Sequence, residues 1–170
     1  IPEDGELTPD LVRAALDLEA PESIELEGLE LPARPPQLCQ GCPHGDTFTA
    51  LNEALERYSK GRVFSDIGCY TLAFLPPLKA IDTCLCMGAS IGHAVGMEKV
   101  LSMADNGDQV VAVIGDSTFF HSGMAPLVNM VHNGSRGVVI LMDNSVTAMT
   151  GHQDHPGVDW AVTEGRPAKR

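Results

Sequence analysis

The sequence predicts an α/β fold: a doubly wound parallel sheet in a single domain, with an extended N-terminal segment. Three observations carry that expectation. Strand-length apolar runs alternate with helix-length segments through the middle of the chain. Two of the runs, Val110-Val111-Ala112-Val113-Ile114 and Val138-Val139-Ile140-Leu141-Met142, end in Gly115-Asp116-Ser117 and Asp143-Asn144-Ser145. Glycine is frequent, at 17 of 170 residues, as tight turns between strands and helices require.

Taken in order, residues 7–18 read as a short helix. Thr8 can cap it, Pro9 suits its first position, and Leu11, Val12, Ala15 and Leu16 form an apolar stripe. Residues 19–37 read as a linker, acidic and then proline-rich, so that the folded domain starts near Leu38. A helix is expected over 43–58, with Phe48, Leu51, Leu55 and Tyr58 at helical spacing. Arg62 to Ile67 suits a short strand. Cys69 to Pro77 is apolar but ends in two prolines, so it reads as a loop or broken helix. A short strand over Ala80 to Met87 and a helix rich in small residues over Gly88 to Ala104 come next. Asn106-Gly107-Asp108 is a turn signal before a strand over 109–114. A helix over about 121–133 stops at Asn133-Gly134 and precedes a strand over 137–142. The domain then spans 38–157, with 158–170 a polar tail.

Composition limits the function. Net charge is −12, which argues against a nucleic-acid-binding surface, because phosphate contacts need clustered Lys or Arg. The acidity is concentrated in residues 1–30, which hold ten Asp or Glu and one Arg. No run approaches a membrane span, and no leader is visible, so neither nucleic acid nor membrane is expected as a partner. The chain opens on Ile and ends in a polar stretch, so a fragment of a longer polypeptide is expected. Five cysteines, four of them in close pairs, suit reduced thiols or a metal cluster in a reducing compartment, and the expected location is cytoplasmic.

The two strand ends carry the chemistry. Neighbouring parallel strands would deliver Asp116 and Asn144 to one sheet edge, where oxygen ligands suit a hard cation such as Mg²⁺ beside a phosphate. Gly115 would let the backbone turn tightly, and the N–H groups opening the next helix can meet an anion. Ser117 and Thr118 offer hydroxyl and N–H donors at the same place. The same residue types also serve plainer roles, with Asp or Ser capping a helix and Asn sitting in a turn.

Strand, Gly-Asp-Ser, helix, strand and Asp-Asn in that order resemble the thiamine-diphosphate motif. Longer strings sharpen the likeness: Gly115 to Gly123, Asp143 to Gln153, Leu38-Cys-Gln-Gly-Cys-Pro-His44, Ser65-Asp-Ile-Gly-Cys-Tyr70 and Asp82 to Ser90. In order over residues 38–153, they resemble the large, alpha-type subunit of the indolepyruvate ferredoxin oxidoreductase family, in its diphosphate-binding domain. The resemblance implies the thiamine-diphosphate-binding fold. It also implies a cytoplasmic enzyme that oxidatively decarboxylates arylpyruvates to an acyl-CoA, with coenzyme A as co-substrate and electrons passing to ferredoxin. Its implied partners are a pyrimidine-binding domain, a second subunit of the same enzyme, ferredoxin and the 2-oxoacid substrate.

By the same resemblance, Asp116, Asn144 and the backbone carbonyl of Val146 hold Mg²⁺, and Gly115, Ser117 and Thr118 lie near the diphosphate. Cys69 and Met87 are further candidates for lining the cofactor, and His44, His121 and His152 are candidates for proton relay or for contact with diphosphate or substrate. His93 and His132 fall inside helices and read as structural, and His155 reads as surface loop. In related enzymes a CxxC and a later Gly-Cys hold a [4Fe-4S] cluster. Here Cys39, Cys42 and Cys69 match that spacing, but no cysteine follows Cys86, and since such a cluster usually takes four thiolates the fourth ligand would have to be Cys84, Cys86 or a residue outside this chain. The alternative is thiols that line the site. Two other functions stay open: a non-oxidative thiamine decarboxylase or synthase domain, and a non-catalytic cofactor-binding module. A dinucleotide-binding reading is weaker, because no GxGxxG follows a strand.

Overall fold

The computed structural model describes residues 8–19, 28, 35–58, 61–103 and 108–159. The chain divides into two compact units, Ile1–Pro35 and Pro36–Arg170. In the first, α1 (Pro9–Ala15) begins where Thr8 accepts the Leu11 N–H on its hydroxyl, with Pro9 in the first turn. It is shorter than the expected 7–18, since Leu16 already leaves helical geometry.

The second unit is built on a four-stranded parallel sheet of β1 (Arg62–Ser65), β2 (Thr83–Cys84), β3 (Val110–Gly115) and β4 (Val138–Met142), in the order β2-β1-β3-β4. All six residues of β3 are buried, as expected for a central strand covered on both faces. Its side chains alternate between two cores. Val111 and Val113 pack with Phe48 and Leu51 of α2 (Pro43–Leu55), Val63, Tyr70 and Met142. Val110, Ala112 and Ile114 pack with Phe64, with Ile91, Ala94 and Val95 of α3 (Ser90–Met103), and with Met130. Helices on both faces make this a doubly wound α/β sheet. Ile114 is fully buried, so Ile114→Ala would cost about 2–5 kcal/mol through lost contacts and a cavity.

Two elements differ from expectation, and a third takes the broken-helix form expected of it. The strand sought over Ala80 to Met87 survives only as the two residues of β2, because Ala80 and Ile81 turn inward to the core and residues from Leu85 onward enter a turn. The apolar segment before Pro76 forms a 3₁₀ helix, Cys69–Phe74. The helix after β3 starts at once: α4 (Asp116–Thr118) runs into a wide π segment (Phe119–Gly123) and then α5 (Met124–His132). Its first turn therefore begins at the end of the strand, not near residue 121. Among the described residues no helix is long and apolar enough to cross a membrane. Trp160 and the polar tail beyond it lie outside the described residues.

Candidate functional site

Strand order reverses direction at β1. The chain steps from β1 to β2 on one side, then returns by α3 to β3 on the other. In open α/β sheets the crevice at the carboxyl ends of such strands is where ligands bind. A cavity of about 350 Å³ lies there. Its walls include Ile67 to Tyr70 after β1, Gly115 to Thr118 after β3, and Asn144 and Val146 to Thr150 after β4.

Register sets the strand ends level. Gly115 pairs with Met142, so Asp116 and Asp143 leave the sheet side by side, with Asn144 next. Asp116 is 4 % exposed. Its Oδ1 accepts the Ser117 N–H at 2.8 Å. Its Oδ2 accepts the N–H groups of Ser145 at 2.6 Å and Asn144 at 3.2 Å, and lies 3.1 Å from His155 Nε2. The Ser145 N–H also reaches Asp143 Oδ1 at 2.8 Å, so two carboxylates converge on one donor. That donor first, and pairing with Asp116 second, hold the Asp143 carboxyl below the usual carboxylate range. The Gly157 N–H donates to His155 Nδ1 at 3.1 Å, which assigns the donor role toward Asp116 to Nε2.

This donor set fits a hard cation. Asp116 Oδ1 takes one hydrogen bond and keeps lone-pair capacity, Asn144 is exposed at the cavity, and Val146 lines the same wall. Oxygen ligands around excess negative charge suit Mg²⁺. The loop that carries them is tied down: Thr147 donates its hydroxyl to Ser117 Oγ at 2.8 Å, and Thr147 pairs with Gln153 across a bridge.

The cavity brings together His44, Cys69, Met87, Gly115, Asp116, Ser117, Thr118, His121, Asn144 and Val146. His152 is not among its walls. It is exposed, at φ 62°, in the turn that folds Gln153 back on Thr147, with its N–H bonded to the Thr147 carbonyl at 3.0 Å. His155, expected in surface loop, is instead 5 % exposed against Asp116 and stacked on Phe120. The sequence offered little sign of this: the ring is held by the Pro156-Gly157 turn, which reads as ordinary loop. Gly115 also needs a different explanation. Its backbone is extended, at φ −78° and ψ 158°, a conformation open to any residue. Glycine is required because a Cβ there would stand 2.7 Å from Tyr70 Cε1.

His44 is buried and meets Tyr70 edge to face at 6.2 Å. Burial lowers its pKa, against the opposing pull of the Asp116 charge. Burial also drives the Tyr70 phenol strongly upward, and its hydroxyl donates to the Ile67 carbonyl at 3.1 Å. Asp66 was not singled out from the sequence, although it sits in the Ser65 to Tyr70 string. Fully buried, it accepts N–H groups from Ile67 at 2.9 Å, Gly88 at 2.7 Å and Ser90 at 3.1 Å. One carboxylate thus ties the β1 loop to the turn carrying Met87 and to the start of α3.

The cysteines do not form a cluster site. Cys39 is exposed, Cys42 precedes the first turn of α2, and only Cys69 of the three lines the cavity. All five thiols are free, and among the described residues no three His, Cys, Asp or Glu side chains converge as a metal site. The residues present therefore do not fit a [4Fe-4S] group.

Comparison with known proteins bears on the same region. A family model described as "Thiamine pyrophosphate enzyme, C-terminal TPP binding domain" matches residues 66–169. Indolepyruvate oxidoreductase subunit IorA of Archaeoglobus fulgidus is 47% identical over 126 residues, covering 74% of this chain and 19% of that protein. The protein of the same name from Pyrococcus horikoshii is 47% identical over 150 residues, covering 82% of this chain and 22% of the relative. That of Methanothermobacter marburgensis is 44% identical over 165 residues, covering 93% and 26%. The chain thus spans about a quarter or less of the length of these relatives. Among solved structures, a 2-oxoglutarate:ferredoxin oxidoreductase from Magnetococcus marinus, with 2-oxoglutarate, coenzyme A and succinyl-CoA bound, shares the fold. Its TM-score is 0.58 at 21% identity, over 78% of this chain and 46% of that one.

Proposed function

The chain belongs to the thiamine pyrophosphate enzymes, through their C-terminal TPP binding domain, and from that premise we propose that it is the diphosphate- and Mg²⁺-binding domain of a 2-oxoacid:ferredoxin oxidoreductase acting on indolepyruvate or a similar arylpyruvate. The observation that carries the proposal is the convergence of Asp116, Asn144 and Val146 on one cavity at the strand-order reversal. The names of the relatives and the fold of the Magnetococcus marinus enzyme support the reaction class.

Each residue has a part in this reading. Asp116, Asn144 and the Val146 carbonyl bind the cation. Ser117 and Thr118, in the first turn of a helix, hold the diphosphate through N–H and hydroxyl donors. Cys69, Met87 and Met149 give the cavity its apolar wall. His44 and His121 stand where they can hold a proton beside the reacting group. When bound, thiamine diphosphate supplies the carbon nucleophile and electron sink for 2-oxoacid decarboxylation. Residues 38–157 make up this domain. A pyrimidine-binding domain, a second subunit, ferredoxin and coenzyme A complete the activity, in the cytoplasm.

The test is reconstitution of the assembled enzyme with thiamine diphosphate, Mg²⁺, coenzyme A, ferredoxin and indolepyruvate. Substrate-dependent ferredoxin reduction, abolished by Asp116→Ala, is expected. Decarboxylation without ferredoxin reduction would overturn the oxidative reading and favour a non-oxidative decarboxylase.

A further inference from the structure

We propose that His155 is a positioning residue for the cation site: it clamps Asp116 Oδ2 and so presents Oδ1 to the metal. This rests on the reading of Asp116 as a Mg²⁺ ligand. The proposal begins with the ring's environment. The His155 side chain is 1 % exposed, and Phe120 stacks on it at a centroid distance of 6.0 Å and an interplanar angle of 26°. Gly157 packs against the edge of this stacked pair, since a Cβ there would run into the Phe120 ring and stand 2.9 Å from His155 Cε1. The imidazole is therefore fixed in place and orientation.

Its two nitrogens have fixed and different tasks. Nδ1 accepts the Gly157 N–H at 3.1 Å, so the proton resides on Nε2 and points to Asp116 Oδ2, 3.1 Å away. Oδ2 then holds three donors: two N–H groups of the β4 loop and the imidazole. Oδ1 holds one. A cation approaching this carboxylate meets a crowded oxygen and an open one. Removing an outer group that orients a ligating side chain in this way typically costs about 10–100-fold in metal affinity. His155 also joins the far end of the β4 loop to the end of β3, so the clamp closes the loop that carries Asn144 and Val146.

The experiment measures metal binding directly. Mn²⁺, as a stand-in for Mg²⁺, is titrated into the full polypeptide with saturating thiamine diphosphate and followed by electron paramagnetic resonance. Three variants separate the tasks. His155→Gln keeps a donor near the Nε2 position. His155→Asn keeps an acceptor near Nδ1 but does not reach Asp116. His155→Phe keeps the stacked ring and neither nitrogen. The expected result is a loss of Mn²⁺ affinity of roughly 10–100-fold in the Asn and Phe variants, with most of it recovered in Gln. Should the Phe variant fail to fold, the Gln–Asn pair carries the same comparison. Equal affinity in wild type, Gln and Asn would overturn the clamp while leaving the Mg²⁺ site standing. Equal losses in Gln and Asn would reduce His155 to a packing role and overturn it too. A wild-type protein with no cofactor-dependent Mn²⁺ binding would overturn both the clamp and the reading beneath it.

Discussion

Ser145 donates its backbone N–H to Asp116 Oδ2 at 2.6 Å, a bond that joins the turn after β4 to the first residue after β3. The turn needs φ 57° at Ser145 to make it. Non-glycine residues adopt that region at some cost, and local hydrogen bonds offset it. The Asp116 carboxylate thus orders the loop that carries Asn144 and Val146.

That dual role sets the first prediction. Asp116→Asn keeps the size of the side chain but removes the charge, and its amide NH₂ replaces an oxygen that now accepts hydrogen bonds. Calorimetry in the presence of Mg²⁺ should find thiamine diphosphate binding to the full enzyme weakened at least about 100-fold, since both a metal ligand and its charge are lost. Unchanged binding would remove Asp116 from the cation site.

Gly115→Ala tests the fit at Tyr70. The new Cβ would lie 2.7 Å from Tyr70 Cε1, and the ring is 4 % exposed and tethered through its hydroxyl to the Ile67 carbonyl. It has little room to yield. A loss of about 1–3 kcal/mol is expected from overpacking, read from chemical denaturation. Combining it with Tyr70→Leu should cost clearly less than the sum of the two single changes. Strict additivity would show that the clash is not with Tyr70.

The sequence carried the sheet well where strands are central and apolar. Val110 to Ile114 is buried on both faces, so periodicity and burial agree and the strand was legible. Gly115-Asp116-Ser117 and Asp143-Asn144 were legible as a pair because parallel register sets both strand ends level. Thr83–Cys84 was overestimated as a strand, because an apolar run does not reveal that Ala80 and Ile81 serve the core from outside the sheet. Asp66 and His155 were missed for another reason. Each acts through partners distant in sequence, Gly88 and Ser90 for one and Asp116 for the other. Nothing in local spacing marks such a bond.

Asp66 gives the third prediction. Its carboxylate is fully buried and accepts three backbone N–H groups. Asp66→Asn would turn an NH₂ toward at least one of those donors and leave it unpaired. The expected cost is about 2–3 kcal/mol, from the loss of hydrogen bonds to a charged acceptor. Hydrogen exchange should localise the change to the Ile67, Gly88 and Ser90 amides. A global loss with no local change at these amides would count against the tether.

The fourth prediction concerns pH. Burial lowers the His44 pKa below that of an ordinary histidine, and the Asp116 charge partly opposes that shift. The sign follows from linkage. Above the unfolded pKa, His44 is neutral in both states and exerts no pH-dependent effect. As pH falls below it, the unfolded chain takes up a proton that the folded site resists, so stability declines until the folded pKa is passed. NMR titration of the ligand-free protein should place the His44 midpoint below that of an exposed histidine. Asp116→Asn removes the charge that favours the imidazolium, so the midpoint should fall further in that variant. A midpoint that rises on losing Asp116, or stays where it was, would show that the two groups do not share the electrostatics of one cavity, and His44 would lose its claim to a place beside the cation site.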